Sequence, residues 1–219
     1  MPNALISIFD MDHTLIDNDC DVSWKVFLVK KNLAPINALE MADKYFRQYV
    51  EGRLDMDAFL EFQLAEFKGR TPEDMAALAR EHCESTVKPR IYRDAVAEIE
   101  TAQSTGRILA ICTSTNEVIA RPVADLLGIP NLLATRLELR DGKYTGRIQG
   151  PYCGGEGKIP AAADFCREHG TNLNAVTYYG DSKADIPLLS EVGTPVVVNP
   201  APALRETAEK RNWQIRRFA

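Results

Sequence analysis

Apolar and polar residues follow two different patterns along this chain, and each pattern predicts a different kind of element. Residues 4–9 form a short, mostly apolar run that stops abruptly at Asp10 and Asp12. Such a run predicts a buried β-strand that delivers two carboxylates to the edge of a sheet. From about residue 17 to 88, apolar residues recur at helical spacing instead, which predicts a block of helices without a strand.

The second half of the chain has a different order of elements. Beyond residue 89, short apolar runs alternate with helical patterns, and residues 134–148 alternate around Asp141-Gly142, a pair typical of a hairpin turn. The predicted strands cover 107–112, 175–179 and 195–198, and the predicted helices cover 93–104, 116–127, a stretch from 156, and 202–211.

This order predicts an α/β fold with a doubly wound, mostly parallel sheet, because strands and helices that alternate form such sheets. The all-helical block after the first strand is then an inserted cap. We predict a core domain of residues 1–16 plus 89–219 and a cap domain of residues 17–88.

Composition narrows the class of partner. With 219 residues and 45% hydrophobic content, the chain can bury a sizeable core. A net charge of −5 disfavours a nucleic-acid surface, and no apolar run approaches the length needed to span a membrane, so the expected partner is a small molecule. The five cysteines show no Cys-x-x-Cys spacing, which fits a reducing cytoplasm rather than a disulfide framework or a zinc site. Composition predicts no oligomeric state.

Asp10 and Asp12 are the first candidate site residues. In extended backbone, residues two apart point to the same side, so the two carboxylates lie together and repel each other. That arrangement implies a bound cation or a shared proton, unless the two aspartates are simply a solvated acidic turn. A calcium-binding loop is disfavoured, because Leu15 stands where that loop needs glycine and Asp21 where it needs glutamate.

Polar side chains also follow the other predicted strands or begin helices. A parallel sheet brings the carboxyl ends of its strands to one edge, so we expect these side chains to converge on the first two aspartates. They are Thr113, Lys158, Asp181 and Asp185.

The residue types suit phosphoryl transfer. Asp10, which is ionised at neutral pH, can attack phosphorus and form an aspartyl phosphate. Asp12 can protonate the leaving oxygen and later take a proton from water, which requires a raised pKa. Asp10 and Asp181 can together hold Mg²⁺, a cation that prefers oxygen ligands.

Two further side chains can hold the phosphate. Thr113 and Lys158 can contact its oxygens, with Lys158 positioned by Asp185. Each has a structural alternative, because a threonine after a strand is often a helix cap and a lysine is usually exposed. The glycines before Lys158 do not make a Walker loop, since Ile159 stands where that loop needs serine or threonine.

The four motifs in this order resemble those of the haloacid dehalogenase superfamily of phosphatases, and the resemblance covers nearly the whole chain. The motifs are Asp-x-Asp-x-Thr at 10–14, a strand-end threonine at 113, a lysine at 158, and Gly-Asp-x-x-x-Asp at 180–185. The resemblance implies a Rossmann-type core, and the helical block resembles the cap of the phosphoserine-phosphatase-like branch. It also implies that Asp10 is the nucleophile, that Asp12 is the acid and base, and that Asp10, the backbone carbonyl of Asp12, and Asp181 bind Mg²⁺.

The reaction class is narrowed by the same resemblance. Phosphatases of this superfamily carry the second aspartate of the first motif and the dehalogenases lack it, so Asp12 favours hydrolysis of a phosphate ester. A mutase shares all four motifs and is disfavoured only by the type of cap. A non-catalytic phosphate-binding module is a more remote alternative, because both Asp10 and Asp12 are present.

The resemblance places two substrate-binding residues in the cap region. Asp19 stands where the phosphoserine phosphatases use glutamate to bind the substrate amine, and Glu61 stands where they use arginine to bind its carboxylate. A carboxylate at Glu61 would repel that of phosphoserine. The resemblance therefore favours an amine-bearing phosphate that has no carboxylate.

Histidinol phosphate is the leading substrate hypothesis. The Thr-x-Thr-Asn form at 113–116 is similar to that of histidinol-phosphatase-type members, and we expect Ser114 and Asn116 to bind substrate. Phosphoserine or another small metabolite is the alternative, because a one-turn slip in aligning the cap would restore Arg47 or Arg53 as a carboxylate clamp.

Overall fold

The computed structural model describes residues 5–219, with only the backbone of Tyr49 and Val50. Ala4, the first residue of the predicted first strand, lies outside this range, as does the start of the predicted core domain. The strands are β1 (Ile6–Phe9), β2 (Ile108–Asn116), β3 (Asn131–Thr135), β4 (Leu137–Arg140), β5 (Lys143–Ile148), β6 (Val176–Gly180), β7 (Thr194–Val198) and β8 (Gln214–Arg216).

Six of these strands form a sheet in the order β3-β2-β1-β6-β7-β8. All of its pairings are parallel. The central strand is β1, in which Phe9 pairs with Ile111 on one side and Tyr179 on the other. Apolar clusters bury both faces of the sheet, as expected for a doubly wound parallel sheet. The predicted fold class is confirmed.

Helices cover both faces of the sheet. They are α1 (Cys20–Lys30), α2 (Ala38–Val50), α3 (Met56–Gln63), α4 (Pro72–His82), α5 (Arg93–Ser104), α6 (Glu117–Leu126), α7 (Lys158–Glu168), α8 (Ile186–Glu191) and α9 (Pro202–Arg211). The first five of them lie between β1 and β2, and the first four fall in the region predicted to be all-helical. Within residues 5–219, no helix is both long and apolar enough to cross a membrane.

The helical block is packed onto the sheet through one continuous hydrophobic cluster. Trp24 of α1 and Met75 of α4 belong to the same buried cluster as Phe9 and Ile111 of the sheet. The side chains from both parts of the chain therefore share one core. The division at residues 16 and 89 stays a prediction.

The hairpin predicted over 134–148 is shorter in the structure, and the strand before it, β3, was not predicted. The hairpin is formed by β4 and β5 alone, with both turn residues, Asp141 and Gly142, at positive φ. Residues 131–135 instead form β3 at the edge of the parallel sheet. The reason is local, because Leu132, Leu133 and Ala134 are consecutive apolar residues. Such a run does not alternate between apolar and polar residues, so its pattern does not indicate which sheet it joins.

The hairpin also holds the helical block. The backbone N–H of Gly69 donates to the Tyr144 carbonyl at 2.8 Å, and the Tyr144 N–H donates to the Arg70 carbonyl at 2.9 Å. The Tyr144 ring packs edge-on against Phe67, with 5.7 Å between ring centroids. The segment that follows α3 is thereby fixed to β5.

Candidate active site

Asp10 directly follows the central strand. Its backbone N–H donates to the Tyr179 carbonyl at 2.8 Å, which extends the pairing of β1 with β6 by one residue. The residue is only 7% exposed, and Oδ1 accepts a hydrogen bond from Lys158 Nζ at 2.7 Å. Burial raises the pKa of Asp10 to about 6, although Lys158 acts in the opposite direction. The candidate nucleophile is thus fixed and largely desolvated.

Lys158, at the start of α7, lies among three buried oxygens. Besides Asp10, its Nζ donates to Asp185 Oδ1 at 2.7 Å and to the Tyr178 hydroxyl at 3.0 Å. Burial acts to lower the pKa of Lys158, but the two carboxylates raise it well above its ordinary value. The ammonium group therefore stays charged and can offset negative charge on a phosphate.

Asp185 has donors on both of its oxygens. Oδ1 accepts from Lys158 and, at 2.6 Å, from the Tyr178 hydroxyl. Oδ2 accepts from the N–H of Asp181 at 3.2 Å and from the N–H and hydroxyl of Ser182 at 3.0 and 2.9 Å. Burial alone would raise the pKa of Asp185, but Lys158 and these hydrogen bonds hold it below its ordinary value. These contacts fit the predicted role of Asp185 in positioning Lys158.

Gly180 permits this packing. A Cβ atom at Gly180 would lie 2.7 Å from Cβ and Cγ of Asp185. Real Cβ atoms do not approach that closely, so glycine is required for the end of β6 to lie against the carboxylate.

The carboxylates of Asp10, Asp181 and Asp185 could hold a metal ion, since each offers an oxygen within 4.8 Å of the others. Burial and the carboxylates of Asp10 and Asp185 raise the pKa of Asp181 to about 9. The oxygens of Asp185 already accept protein donors, whereas Asp181 Oδ1 accepts a long bond, 3.3 Å, from the Thr14 hydroxyl. Asp10 and Asp181 are therefore the better pair of side-chain ligands. Two buried carboxylates with too little positive charge around them fit a hard cation such as Mg²⁺.

Asp12 lies beside this group with a donor on each oxygen. Oδ2 accepts from the Thr115 hydroxyl at 2.7 Å, and Oδ1 accepts from the backbone N–H of Cys20 at 2.8 Å. Burial, together with the nearby carboxylates of Asp19 and Asp10, raises the pKa of Asp12 well above its ordinary value. A carboxyl group that keeps its proton near neutral pH can act as a general acid.

The other predicted site residues lie on the surrounding elements. Thr113 is buried near the end of β2, and its hydroxyl accepts from the Thr115 N–H at 3.2 Å. Ser114 is half-buried, and Asn116 caps α6 by accepting from the N–H groups of Val118 and Ile119.

In the cap region, Asp19 caps α1, where its Oδ1 accepts from the Val22 N–H at 2.9 Å, and Glu61 is exposed on α3. The structure therefore joins Asp10, Lys158 and Asp185 by direct hydrogen bonds, with Asp12 and Asp181 next to them. The substrate-binding roles of Asp19, Glu61, Ser114 and Asn116 stay predictions.

The family model of haloacid dehalogenase-like hydrolases matches residues 8–190. The chain belongs to this hydrolase family. It is 37% identical to a histidinol-phosphatase of Neisseria meningitidis serogroup C over 97% of this chain and 98% of that one. It is also 30% identical to a phosphoserine phosphatase of Mycobacterium tuberculosis over 97% of this chain and 70% of that one.

A solved structure from Bordetella pertussis Tohama I, of a protein of unknown function, has the same fold as this hydrolase. It matches with a TM-score of 0.90 and 33% identity, and the match covers 97% of this chain and 98% of that one. The predicted resemblance to the superfamily is confirmed. The family and its phosphatase relatives also confirm the prediction of a phosphoric monoester hydrolase.

Several hydroxyl groups that contact the site aspartates of this hydrolase were not among the predicted site residues. Those of Thr14 and Ser182 contact Asp181 and Asp185. Tyr178 contacts both Lys158 and Asp185, but a tyrosine inside an apolar strand is typical of a core residue. Thr115 contacts Asp12. The sequence analysis included it in the Thr-x-Thr-Asn form but gave it no role, although its place two residues after Thr113 puts both on one side of an extended strand.

Proposed function

We propose that this hydrolase cleaves phosphate monoesters through an aspartyl phosphate formed on Asp10, with Mg²⁺ as cofactor. The observation that carries the proposal is the pairing of two differently held carboxyl groups at the end of β1. Asp10 contacts a lysine that stays charged, whereas Asp12 is held by neutral donors and has a raised pKa. Two carboxyl groups pushed toward different protonation states suit a nucleophile and an acid.

The first half of the reaction transfers the phosphoryl group to the protein. A carboxylate oxygen of Asp10 attacks phosphorus, the bond from phosphorus to the ester oxygen breaks, and that oxygen takes the proton of Asp12. Lys158 and Thr113 contact the phosphoryl oxygens and offset their charge.

In the second half, Asp12 takes a proton from water, whose oxygen attacks the same phosphorus. The bond to Asp10 then breaks, which releases inorganic phosphate and restores both aspartates to their starting states.

Asp10, Asp181 and the backbone carbonyl of Asp12 would hold the Mg²⁺. When bound, the cation shields the charges of the phosphate and of Asp10, so that the two anions can approach each other. Asp10 and Asp181 are 7% and 8% exposed, which keeps bulk water away from the reacting groups. We expect the elements that cover these carboxylates to move when substrate enters.

The substrate we propose is a small amine-bearing phosphate, with histidinol phosphate as the leading candidate. Asp19 lies close enough to Asp12 to raise its pKa, so a carboxylate is available near the leaving group to bind an amine. The histidinol-phosphatase relative, at 37% identity over nearly the full length of both chains, supports this choice.

Phosphoserine is the second candidate, and the phosphoserine phosphatase relative supports it. Binding of its carboxylate would need a cationic clamp. Arg47 and Arg53 are both exposed, and Arg53 pairs with Glu51. Exposed arginines do not supply a buried cationic clamp, which favours a substrate without a carboxylate.

Phosphate release from histidinol phosphate and phosphoserine, measured side by side with Mg²⁺, tests the proposal. We expect a strong preference for histidinol phosphate and loss of activity in Asp10→Asn. Faster hydrolysis of phosphoserine would make phosphoserine the better substrate hypothesis and would leave the proposed catalytic mechanism unchanged. If well-folded protein releases no phosphate from a broad panel of esters, the catalytic proposal itself fails and a phosphate-binding module becomes the better hypothesis.

The cytoplasmic location stays a prediction.

A further inference from the structure

We propose that Thr115 is a positioning residue for the acid step, and that its hydroxyl holds the oxygen of Asp12 that gives and takes the proton. This inference rests on the proposed function. Thr115 is 1% exposed, and its Oγ1 lies 2.7 Å from Asp12 Oδ2.

The two donors on Asp12 are not equivalent, and the difference identifies the reactive oxygen. The backbone N–H of Cys20 can only donate, so Oδ1 of Asp12 remains an acceptor. Oδ2, beside Thr115, is therefore the better position for the proton, because a protonated oxygen is the weaker acceptor and Oδ1 faces a group that can only donate. A hydroxyl can accept as well as donate, so Thr115 can remain hydrogen-bonded to Oδ2 with or without the proton.

The role of Thr115 changes as the proton moves. When the ester bond breaks, the proton on Oδ2 passes to the leaving oxygen and Oδ2 becomes negatively charged. The Thr115 hydroxyl then donates to that charge, and hydrogen bonds to charged groups are stronger than those between neutral groups. The same bond keeps Oδ2 in place until it takes a proton from water in the second half of the reaction.

The fold places this hydroxyl accurately. Phe9 of β1 pairs with Ile111 of β2, so the segments that follow the two strands run side by side. The N-terminus of α1 approaches Asp12 from the other side through Cys20. Asp12 is therefore held between the sheet and the first helix of the predicted cap, and a displacement of about 1 Å in such a group can cost on the order of 100-fold in rate.

Thr135 provides a matched control. It is also buried, at 2% exposure, and its hydroxyl donates to the Ser114 carbonyl at 2.9 Å and accepts from the Cys153 N–H at 3.1 Å. Both partners are backbone groups. Thr135→Val therefore removes a buried threonine hydroxyl close to the site without removing a partner of Asp12.

The test compares two esters that differ in their need for an acid. Benzyl phosphate releases an alkoxide that requires a proton, whereas 4-nitrophenyl phosphate releases a stable phenolate that does not. We measure kcat/KM with Mg²⁺ for wild type, Thr115→Val, Thr115→Ser and Thr135→Val, because kcat/KM reports the step in which the leaving group departs.

We expect Thr115→Val to lower kcat/KM for benzyl phosphate by roughly 10- to 100-fold and for 4-nitrophenyl phosphate by less than about 3-fold. Thr115→Ser keeps the hydroxyl and should return both values to within about 3-fold of wild type. Thr135→Val should change both esters by the same factor. The midpoint of thermal unfolding of each variant confirms that it is folded.

An equal loss on both esters in Thr115→Val, or the same selective loss in Thr135→Val, would overturn the assignment of Thr115 and leave the proposed function intact. A wild-type protein that hydrolyses neither ester nor histidinol phosphate would instead overturn the proposed function, and the role of Thr115 with it.

Discussion

At the scale of single residues, the site depends on groups that fix the charge of Lys158. A buried ammonium is costly unless its donors are paired, and here they contact Asp10, Asp185 and Tyr178. Tyr178 is the uncharged member of this set. Its hydroxyl donates to Asp185 at 2.6 Å and accepts from Lys158 at 3.0 Å, so it helps to fix the angle at which the ammonium faces Asp10.

Tyr178→Phe removes that hydroxyl without changing the packing of the ring. We expect the free energy of unfolding to fall by about 1–2 kcal/mol, because Lys158 and Asp185 each lose a buried hydrogen bond to the Tyr178 hydroxyl. We also expect kcat to fall about 3- to 10-fold, because Lys158 is less well oriented. Urea unfolding and steady-state kinetics measure the two effects.

Tyr179→Phe is the control for this prediction. Tyr179 is the neighbouring residue of β6, and its hydroxyl donates to Glu98, away from Lys158. That variant should lose stability but keep its kcat. If the two variants lower kcat equally, the hydroxyl of Tyr178 has no particular part in orienting Lys158.

At the scale of elements, His82 connects α4 to α1. Its Nε2 lies 2.9 Å from the Ser23 hydroxyl, and its ring packs edge-on against Trp24 with 5.5 Å between ring centroids. Burial, with a smaller contribution from Arg90, lowers the pKa of His82 from 6.5 to about 4. The helix interface is therefore formed with a neutral imidazole.

This depressed pKa predicts a loss of stability in mild acid. Between pH 6.5 and 4 the unfolded chain binds a proton at His82 that the folded chain does not, so the free energy of unfolding falls as pH decreases. His82→Gln does not titrate. We expect the stability of wild type relative to this variant to fall by on the order of 2 kcal/mol between pH 7.5 and pH 5, measured by urea unfolding. A difference that stays constant with pH would show that His82 is protonated equally in both states.

At the scale of the whole molecule, metal binding and stability are linked through the carboxylates that meet where β1 and β6 end. A ligand that binds only the folded state stabilises it, so Mg²⁺ should raise the midpoint of thermal unfolding. Asp181→Asn removes one of the two proposed carboxylate ligands. It also removes a carboxyl group whose raised pKa, about 9, costs stability at neutral pH in the absence of metal. We expect this variant to be more stable than wild type in a chelator and less stable than wild type in saturating Mg²⁺.

Asp164→Asn is the control for the metal prediction, because Asp164 is exposed on α7 and pairs with Arg167. It should respond to Mg²⁺ as wild type does. If Asp181→Asn keeps the full stabilisation by Mg²⁺, the cation binds elsewhere and the proposed ligand set is wrong.

The sequence by itself determined most of the strands, the helical block after the first strand, and the four motifs that supply the candidate site residues. These are local signals: an apolar run that ends at Asp10, another that ends at Thr113, and a helix that begins near Lys158. Parallel pairing then brings the strand ends to one edge, and this general rule was enough to predict their convergence.

Only the tertiary structure decided which neutral groups complete the site and how β3 joins the sheet. Thr115 and Asp12 are 103 residues apart in the sequence, but their side-chain oxygens lie 2.7 Å apart. No local sequence pattern predicts this contact. Tyr178 lies in a strand that is buried on both faces, so its sequence pattern is that of a core residue. That pattern does not indicate which buried hydroxyl contacts a charged group. Contacts of this kind depend on the packing of distant segments, which the spacing of residues along one segment cannot specify.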